Sequence, residues 1–395
     1  MLIKEVSQNY FKNALSSVHA SRANSLFKAC WSLVKHADLT IASLGRHLEG
    51  AAYVKHKIKC IDRLIGNSHL HRELPAIYKD FYRPLIACMS TLYIIVDWTG
   101  CCSQDTHMLR ASIVRDGRSI TIYNEIHSVK MLGNAIVHHH FLRALKKQIP
   151  PDKKVVVITD AGFVTPWFKA VKKLGWDYLG RIKGNVKILF DDHPRWMQAK
   201  TLHKGAKAQG HYIGSAILGK KSSTPVRGYI YAYKQKIDKK TRRNDRSRFP
   251  DINKRYSLAN RTPWILATSL KSYGKQFIKE IYSYRMQIEQ TFRDDKSPRF
   301  GFGWRLSGSK CIKRMNVLCL IANLAAFLLL SIGIVAEAQG EQRKYQVNTV
   351  RKKRVLSLLT LAKQALYHEC SITLAKAYAI ATTELIKSSV RLYGI

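Results

Sequence analysis

The stretch LYIIVD, residues 92–97, is a continuous apolar run that ends in a carboxylate. Such a run predicts a central strand buried on both faces of a sheet. A second run of this kind, VVVITD at 155–160, also ends in an aspartate. Between them, 108–114 and 119–127 alternate around Asp116-Gly117 and predict a hairpin. Other elements predicted nearby are helices over 129–148 and 165–174 and a strand over 176–182. The order of elements predicts an α/β fold with a mixed sheet.

The acids at the two strand ends, Asp97 and Asp160, are the first candidate site residues. In α/β sheets, sites form where buried strands open at their carboxyl ends. A bare carboxylate is costly to bury unless a cation or another partner compensates it. Each aspartate alone could cap a neighbouring helix or turn. Two in matching positions, together with Glu289, favour a site for a divalent metal.

The stretch YSYRMQIEQTFRDDK, residues 282–296, predicts a helix with a polar face. In one helix, Tyr282, Arg285, Glu289, Arg293 and Lys296 fall within an arc of roughly 80°. One carboxylate among three cations and a phenol suits a site that holds both a metal ion and phosphates. The alternative is a solvated amphipathic helix with i,i+4 ion pairs. An adjoining apolar stripe would face the core: Ile281, Tyr284, Ile288 and Phe292.

The composition predicts a folded protein whose partner is a polyanion. Of 395 residues, 46% are hydrophobic, and 67 Lys and Arg face 26 Asp and Glu, for a net charge of +41. Binding to this polyanion should therefore weaken steeply with salt. The eight cysteines show no CxxC spacing, and the N-terminus lacks the apolar core of a signal peptide. These features predict a reduced, cytoplasmic protein.

Residues 1–85 read as helical and include the outline of a helix-turn-helix. A short helix in 39–48 precedes a turn at Glu49-Gly50 and a second helix over 51–65. The second helix of such a motif enters the major groove of DNA. A plain basic helical bundle is the alternative. The cations predicted to contact DNA from this helix are Lys55, Lys57, Lys59 and Arg63.

The region 185–270 predicts a β-rich insertion, with strands at 211–218 and 226–236 and a basic loop at 239–248. Trp264 would begin a further strand that leads back to the 282–296 helix. It is either a core residue or a platform for an extruded base. Beyond 341, helices at 355–368 and 371–388 suit either dimer or DNA contacts.

Three further features of the sequence are an apolar segment, a histidine triplet and an additional aspartate. Residues 315–336 are apolar enough to span a bilayer, but a helix buried in the core is the preferred interpretation. The triplet at 138–140, three histidines, cannot converge on one ion from consecutive helical positions and is predicted to lie on the surface. Asp295 is an additional negative charge to which the sequence assigns no role.

The spacing Tyr282, two residues, Arg285, three residues, Glu289, six residues, Lys296 resembles the tyrosine-arginine-glutamate-lysine motif of bacterial DDE transposases in insertion-sequence family four. The resemblance extends over nearly the whole chain. It includes LGRHLEG near the start, VDW at Asp97, LRASIVRDGRSITIY, DAGFVTPWFKAVKKLGWDYLGRIKG, PWILATSL and YRMQIEQTFRDDKSPRFGFG.

The resemblance implies a ribonuclease-H-like catalytic core in two parts, 86–184 and 271–340, interrupted by the β-rich insertion at 185–270. A helical DNA-binding domain at 1–85 and a helical region at 341–395 flank it. Asp97, Asp160 and Glu289 would be catalytic and hold two Mg²⁺ ions, for which Mn²⁺ can substitute. The residues implied to grip DNA phosphates are Tyr282, Arg285 and Lys296, assisted by Arg293 and Arg181. Trp264 would stack on a flipped base.

The implied activity is cut-and-paste transposition through a DNA hairpin. The implied partners are double-stranded transposon ends with inverted repeats, target DNA, and a second copy of the chain in a synaptic homodimer. No membrane is involved, and the expected location is the bacterial cytoplasm at the nucleoid. Two alternatives stay open: a DNA-binding regulator without catalysis, and a structure-selective nuclease that cleaves branched DNA without joining ends.

Overall fold

One mixed sheet of ten strands organises the protein. The computed structural model describes residues 3–36, 38–115, 117–220, 225–234, 262–271, 273–299, 301–347, 349–350 and 353–368. The strands are β1 (Thr91–Gly100), β2 (Thr106–Ile113), β3 (Ile120–Ser128), β4 (Lys154–Thr159), β5 (Asp177–Arg181), β6 (Lys187–Phe190), β7 (Met197–Gln198), β8 (His211–Leu218), β9 (Val226–Tyr233) and β10 (Trp264–Thr268).

Helices cover both faces of the sheet and form the N-terminal region. They are α1 (Ile3–Ala14), α2 (Ala20–His36), α3 (Ile41–Arg46), α4 (Val54–Ile65), α5 (Ser68–Ala87), α6 (Ala135–Gln148), α7 (Thr165–Lys173), α8 (Lys275–Ser283), α9 (Met286–Lys296), α10 (Ile312–Ala338), α11 (Gln342–Tyr345) and α12 (Leu358–Tyr367).

The first five strands lie in the order β3-β2-β1-β4-β5. β1 is antiparallel to β2 and parallel to β4, and β4 is parallel to β5. The apolar residues 92–96 of β1 are all buried, as their continuous run predicts for a strand with both faces covered. This mixed α/β arrangement is compatible with a ribonuclease-H-like core.

The strands predicted as an insertion continue the same sheet. β10 is antiparallel to β5 on one side and to β9 on the other. β8, β6 and β7 follow in that order beyond β9. β8 begins and ends where the alternating pattern predicts, at 211 and 218. The basic loop predicted at 239–248 lies outside the described residues.

The long apolar helix α10 passes through the core. Within the described part of the chain, it is the one helix long and apolar enough to cross a membrane. Its most apolar window has a mean hydropathy of 2.6 and is 89% buried inside the protein. Close packing explains that burial: a Cβ on Gly333 would lie 2.2 Å from the carbonyl oxygen of Leu358 on α12. The observed burial matches the interpretation of a core helix.

Two predicted helices are wrong in their continuity. The one expected over 129–148 starts only at Ala135, because Gly133 has a φ of 73° and Asn134 caps the helix with its side chain. The one expected over 282–296 is divided between α8 and α9. Around the break, the amide of Arg285 donates to the carbonyl of Tyr282, and that of Gln287 to Tyr284, a tighter i→i+3 pattern.

The C-terminal prediction is only partly covered. The helix expected at 355–368 is α12, which begins at Leu358 because the Ser357 side chain caps it. The helix predicted at 371–388 lies outside the described residues.

Candidate active site

Asp97 and Asp160 lie side by side where the neighbouring central strands β1 and β4 stop pairing. Val96 and Thr159 are the last paired residues of the parallel strands β1 and β4. The next residues on the two strands therefore stand at the same level, with the strands about 4.8 Å apart. Asp97 Oδ1 accepts a hydrogen bond from the amide of Trp98, and Asp160 Oδ1 accepts one from Gly162, each at 2.8 Å. The parallel register thus brings together two acids that are distant in the chain.

Helix α9 brings Glu289 to the same place. Arg285 Nη1 lies 2.7 Å from Glu289 Oε1, and the same nitrogen lies 3.7 Å from Asp97 Oδ2. Ile288, the residue before Glu289, is fully buried and anchors an adjoining side of α9 in the core. A guanidinium between two carboxylates links the helix to β1.

The carboxylates affect one another electrostatically. The pKa of Asp97 is raised to about 7, mainly by burial and then by the charge of Asp160, against the opposing effect of Arg285. Glu289 adds a smaller repulsion of the same kind. A site in which several acids repel one another favours an added cation.

The donor set fits a divalent metal by its chemistry, because carboxylate oxygens are the ligands that Mg²⁺ and Mn²⁺ prefer. The arrangement of these side chains, however, does not form a metal site. Among the described residues, no group of three or more His, Cys, Asp or Glu side chains is arranged so that it could hold a metal ion. Arg285 lies between Asp97 and Glu289, so metal binding by all three acids requires this guanidinium to leave.

Tyr282 and Trp264 pack against each other beside the acids. Their ring centroids are 5.0 Å apart in an edge-to-face arrangement. Tyr282 is buried, and burial raises its pKa to about 12, while the charges of Arg285 and Arg181 lower it. Arg181 ends β5, opposite Leu266 on β10. Trp264 is half-buried beside the site.

Lys296 reaches β1 from the far end of α9. Its ammonium donates a hydrogen bond to Thr99 Oγ1. Thr99 lies two residues after Asp97, so both side chains are on the same face of the strand. Burial lowers the pKa of Lys296, and the nearby charges of Arg305 and Arg110 lower it further. Arg293, by contrast, is exposed to solvent.

Asp295, for which the sequence indicates no role, belongs to a buried network behind the site. Its Oδ2 accepts a hydrogen bond of 2.5 Å from Nη1 of Arg110, a residue with no exposed surface. Arg110 also donates to Asn323 Oδ1 at 3.1 Å. The Asn323 amide donates in turn to Tyr78 and Asn124. This network joins α9, β2, β3, α5 and α10 beneath the acids.

The prediction that the histidine triplet lies on the surface is wrong for His138. Its side chain is buried, and its Nε2 accepts a hydrogen bond of 3.0 Å from Trp98 Nε1. The ring stacks on Phe163 at 5.1 Å and meets Trp167 edge to face. Burial lowers the pKa of His138 to about 4. The neutral imidazole therefore positions Trp98, the residue whose amide binds Asp97.

The N-terminal helix pair has the geometry of two closely crossed helices. Thr40 caps α3, and a Cβ on Gly45 would lie 2.5 Å from Ile58 Cα on α4. Ile61, Leu64 and Ile65 bury one face of α4. On the other face three of the predicted cations are exposed, and the fourth, Lys57, is partly buried. The exposed three are Lys55, Lys59 and Arg63.

Comparison with known families identifies the class to which the protein belongs. Residues 95–327 match the family model described as "Transposase DDE domain". The chain therefore belongs to that family of transposases. Membership implies DNA cleavage and transfer, DNA as the substrate, and the general use of divalent metal ions. None of the curated proteins compared with the chain matches it.

Proposed function

We propose that the protein is a cut-and-paste transposase of insertion-sequence family four, similar to the transposase of the tetracycline-resistance transposon numbered ten. It excises its element through a hairpin intermediate and inserts it into target DNA. The observation that carries this proposal is the juxtaposition of Asp97 and Asp160 at neighbouring strand ends, with Glu289 brought to Asp97 through Arg285. Acids gathered in this way fit phosphoryl transfer assisted by metal ions.

In this proposal Asp97, Asp160 and Glu289 are the catalytic acids. Two Mg²⁺ ions, or Mn²⁺ in their place, would activate the attacking oxygen and stabilise the leaving oxygen. The three side chains would hold them at the carboxyl ends of β1 and β4. The Trp98 and Gly162 amides each bind one oxygen of an aspartate, Oδ1, so the other oxygen would be available to an ion.

The cations and aromatic residues around the acids would position DNA. Tyr282, Arg285 and Lys296 bind phosphates of the transposon end, with Arg181 beside them and Arg293 at the outer edge. Arg supplies a planar pair of donors that matches a phosphate, whereas Lys acts as a point charge. Trp264 stacks on a base flipped out of the duplex, which relieves the sharp bend of a hairpin.

The exposed cations of α4 would read the terminal inverted repeats in the major groove. Two transposon ends must be held together, so the active species is a homodimer in a synaptic complex. The net charge of +41 supports a nucleic-acid partner. The location that fits this substrate is the bacterial cytoplasm at the nucleoid.

The test incubates the purified protein with Mg²⁺ and linear DNA that bears the element's own inverted repeats, taken from the DNA flanking the gene. Hairpin-ended flanks and an excised element are expected. Nicking of branched DNA without preference for the repeats would instead identify a structure-selective nuclease, and binding without cleavage a regulator.

The matched variants are Asp97→Asn and Asp191→Asn. The first should keep binding to the repeats and lose cleavage, because it removes one acid of the site. The second makes the same chemical change in an exposed ion pair with Arg227, outside the site, and should cleave normally. Cleavage by Asp97→Asn at the normal rate would refute the assignment of the acids.

A further inference from the structure

Arg285 occupies the space between two acids in which a metal ion would have to bind. One of its nitrogens, Nη1, is 2.7 Å from Glu289 and 3.7 Å from Asp97. A Mg²⁺ ion requires ligand oxygens about 2.0–2.1 Å away. The ion and the guanidinium nitrogen would lie in the same space between the two acids, and both are positive. The two cations therefore exclude each other.

Whether a metal ion displaces Arg285 depends on whether another hydrogen-bond acceptor is available to the guanidinium. Removing a partner from buried charges is costly unless another one replaces it. The guanidinium, whose side chain is 17% exposed, is accessible from the site. A DNA phosphate matches its paired donors and can replace both carboxylates as the acceptor. The acids are then free of their cation at the moment when DNA is present.

The other basic residues of this region do not have this position. Lys296 donates to Thr99 Oγ1 rather than to one of the three acids. Arg293 lies one turn beyond Glu289 on α9 but is exposed to solvent, and within the described residues the cation paired with Glu289 is Arg285. Arg285 is therefore the residue on which DNA and metal would compete for the acids.

We propose that Arg285 is a stand-in cation that keeps the metal site closed until a DNA phosphate withdraws it, so that DNA and metal bind cooperatively. This inference rests on the proposed function. Because coupling between two ligands is reciprocal, DNA should tighten metal binding by the same factor by which metal tightens DNA binding. The acids would then acquire metal where DNA is already bound.

The experiment measures Mn²⁺ binding to the full chain by electron paramagnetic resonance, with and without a short duplex of arbitrary sequence at low salt. The duplex is also titrated alone, so that its own Mn²⁺ binding can be subtracted. The variants are Arg285→Gln and, as a control with the same loss of charge outside the site, Arg227→Gln, which removes an exposed ion pair with Asp191. Circular dichroism checks that each is folded.

Without DNA, Arg285→Gln should bind Mn²⁺ about 5- to 150-fold more tightly than the unmodified protein, the usual range of coupling between sites. Arg227→Gln should bind it as the unmodified protein does. The duplex should tighten Mn²⁺ binding to the unmodified protein and to Arg227→Gln, but have little further effect on Arg285→Gln.

The proposal is overturned if Arg285→Gln binds Mn²⁺ no more tightly than the unmodified protein, if Arg227→Gln shows the same gain, or if Arg285→Gln keeps the full response to the duplex. A third variant, Arg285→Gln with Asp97→Asn, separates this from failure of the proposed function. Undiminished Mn²⁺ binding by the double variant would remove Asp97 from the metal site. Loss of binding there, with no gain in Arg285→Gln alone, would overturn only the stand-in role.

Discussion

Replacing Asp295 by Asn tests how much its buried ion pair with Arg110 contributes to the stability of the protein. Its partner Arg110 has no exposed surface, and Asp295 is 2% exposed. The substitution keeps the shape but removes the charge that Arg110 Nη1 binds, which leaves a guanidinium buried against Phe292 and Trp304. Removing one partner of a buried pair costs about 3–5 kcal/mol. Urea denaturation followed by circular dichroism should show a fall of that size in the free energy of unfolding.

The neighbouring residue provides the control. Asp294 binds Arg118 at 2.6 Å, but this pair is partly exposed to solvent. Asp294→Asn should therefore cost no more than about 1 kcal/mol. A double variant, Arg110→Met with Asp295→Leu, should recover much of the loss, because apolar side chains can replace a buried pair. Equal effects of Asp294→Asn and Asp295→Asn would refute the reasoning that burial decides the strength of these pairs.

Three other predictions concern residues away from the acids. The pKa of His138 falls from 6.5 to about 4 on folding, so its contribution to stability is complete above pH 6.5 and is lost as the pH falls to 4. His138→Gln should therefore reduce the fall in the free energy of unfolding over this pH range, measured by urea denaturation, by about 3 kcal/mol, whereas the exposed His140→Gln should leave that fall unchanged. Lys59→Ala should lower the slope of log affinity for DNA against log salt by about 1, and an unchanged slope would show that α4 does not contact phosphates. Gly45→Ala should destabilise the protein by about 1–3 kcal/mol in urea denaturation, because its Cβ would lie 2.5 Å from the backbone of α4; Gly100→Ala, with no atom near its Cβ, is the control.

The sheet could be predicted from the sequence because each central strand carries its own signal. The apolar runs that become β1 and β4 are too long and too continuous for half-exposed strands, and the alternating stretches around Gly117 become β2 and β3. Since both apolar runs end in an aspartate, the parallel pairing alone brings Asp97 and Asp160 together. This part of the candidate site is therefore a consequence of local patterns and one topological rule.

The polar interior could not be predicted in this way. Arg110 lies in an ordinary strand pattern, and nothing near it in sequence indicates that it meets Asp295 from α9 and Asn323 from α10. His138 is one of three identical neighbours on α6, and it is the one buried because Trp98, Phe163 and Trp167 pack around its ring. Each of these environments depends on side chains that are far apart in the chain.

The helix that carries Glu289 shows where a periodic pattern stops being informative. The spacing of Arg285 and Glu289 predicted an i,i+4 ion pair as the ordinary alternative to a site, and the pair is present at 2.7 Å. The same nitrogen is also near Asp97, which no spacing within 282–296 can indicate. A surface ion pair and a candidate catalytic arrangement are therefore identical at the level of helical periodicity. What distinguishes them is a third charge supplied by β1, and it is this charge that gives Arg285 a reason to be displaced.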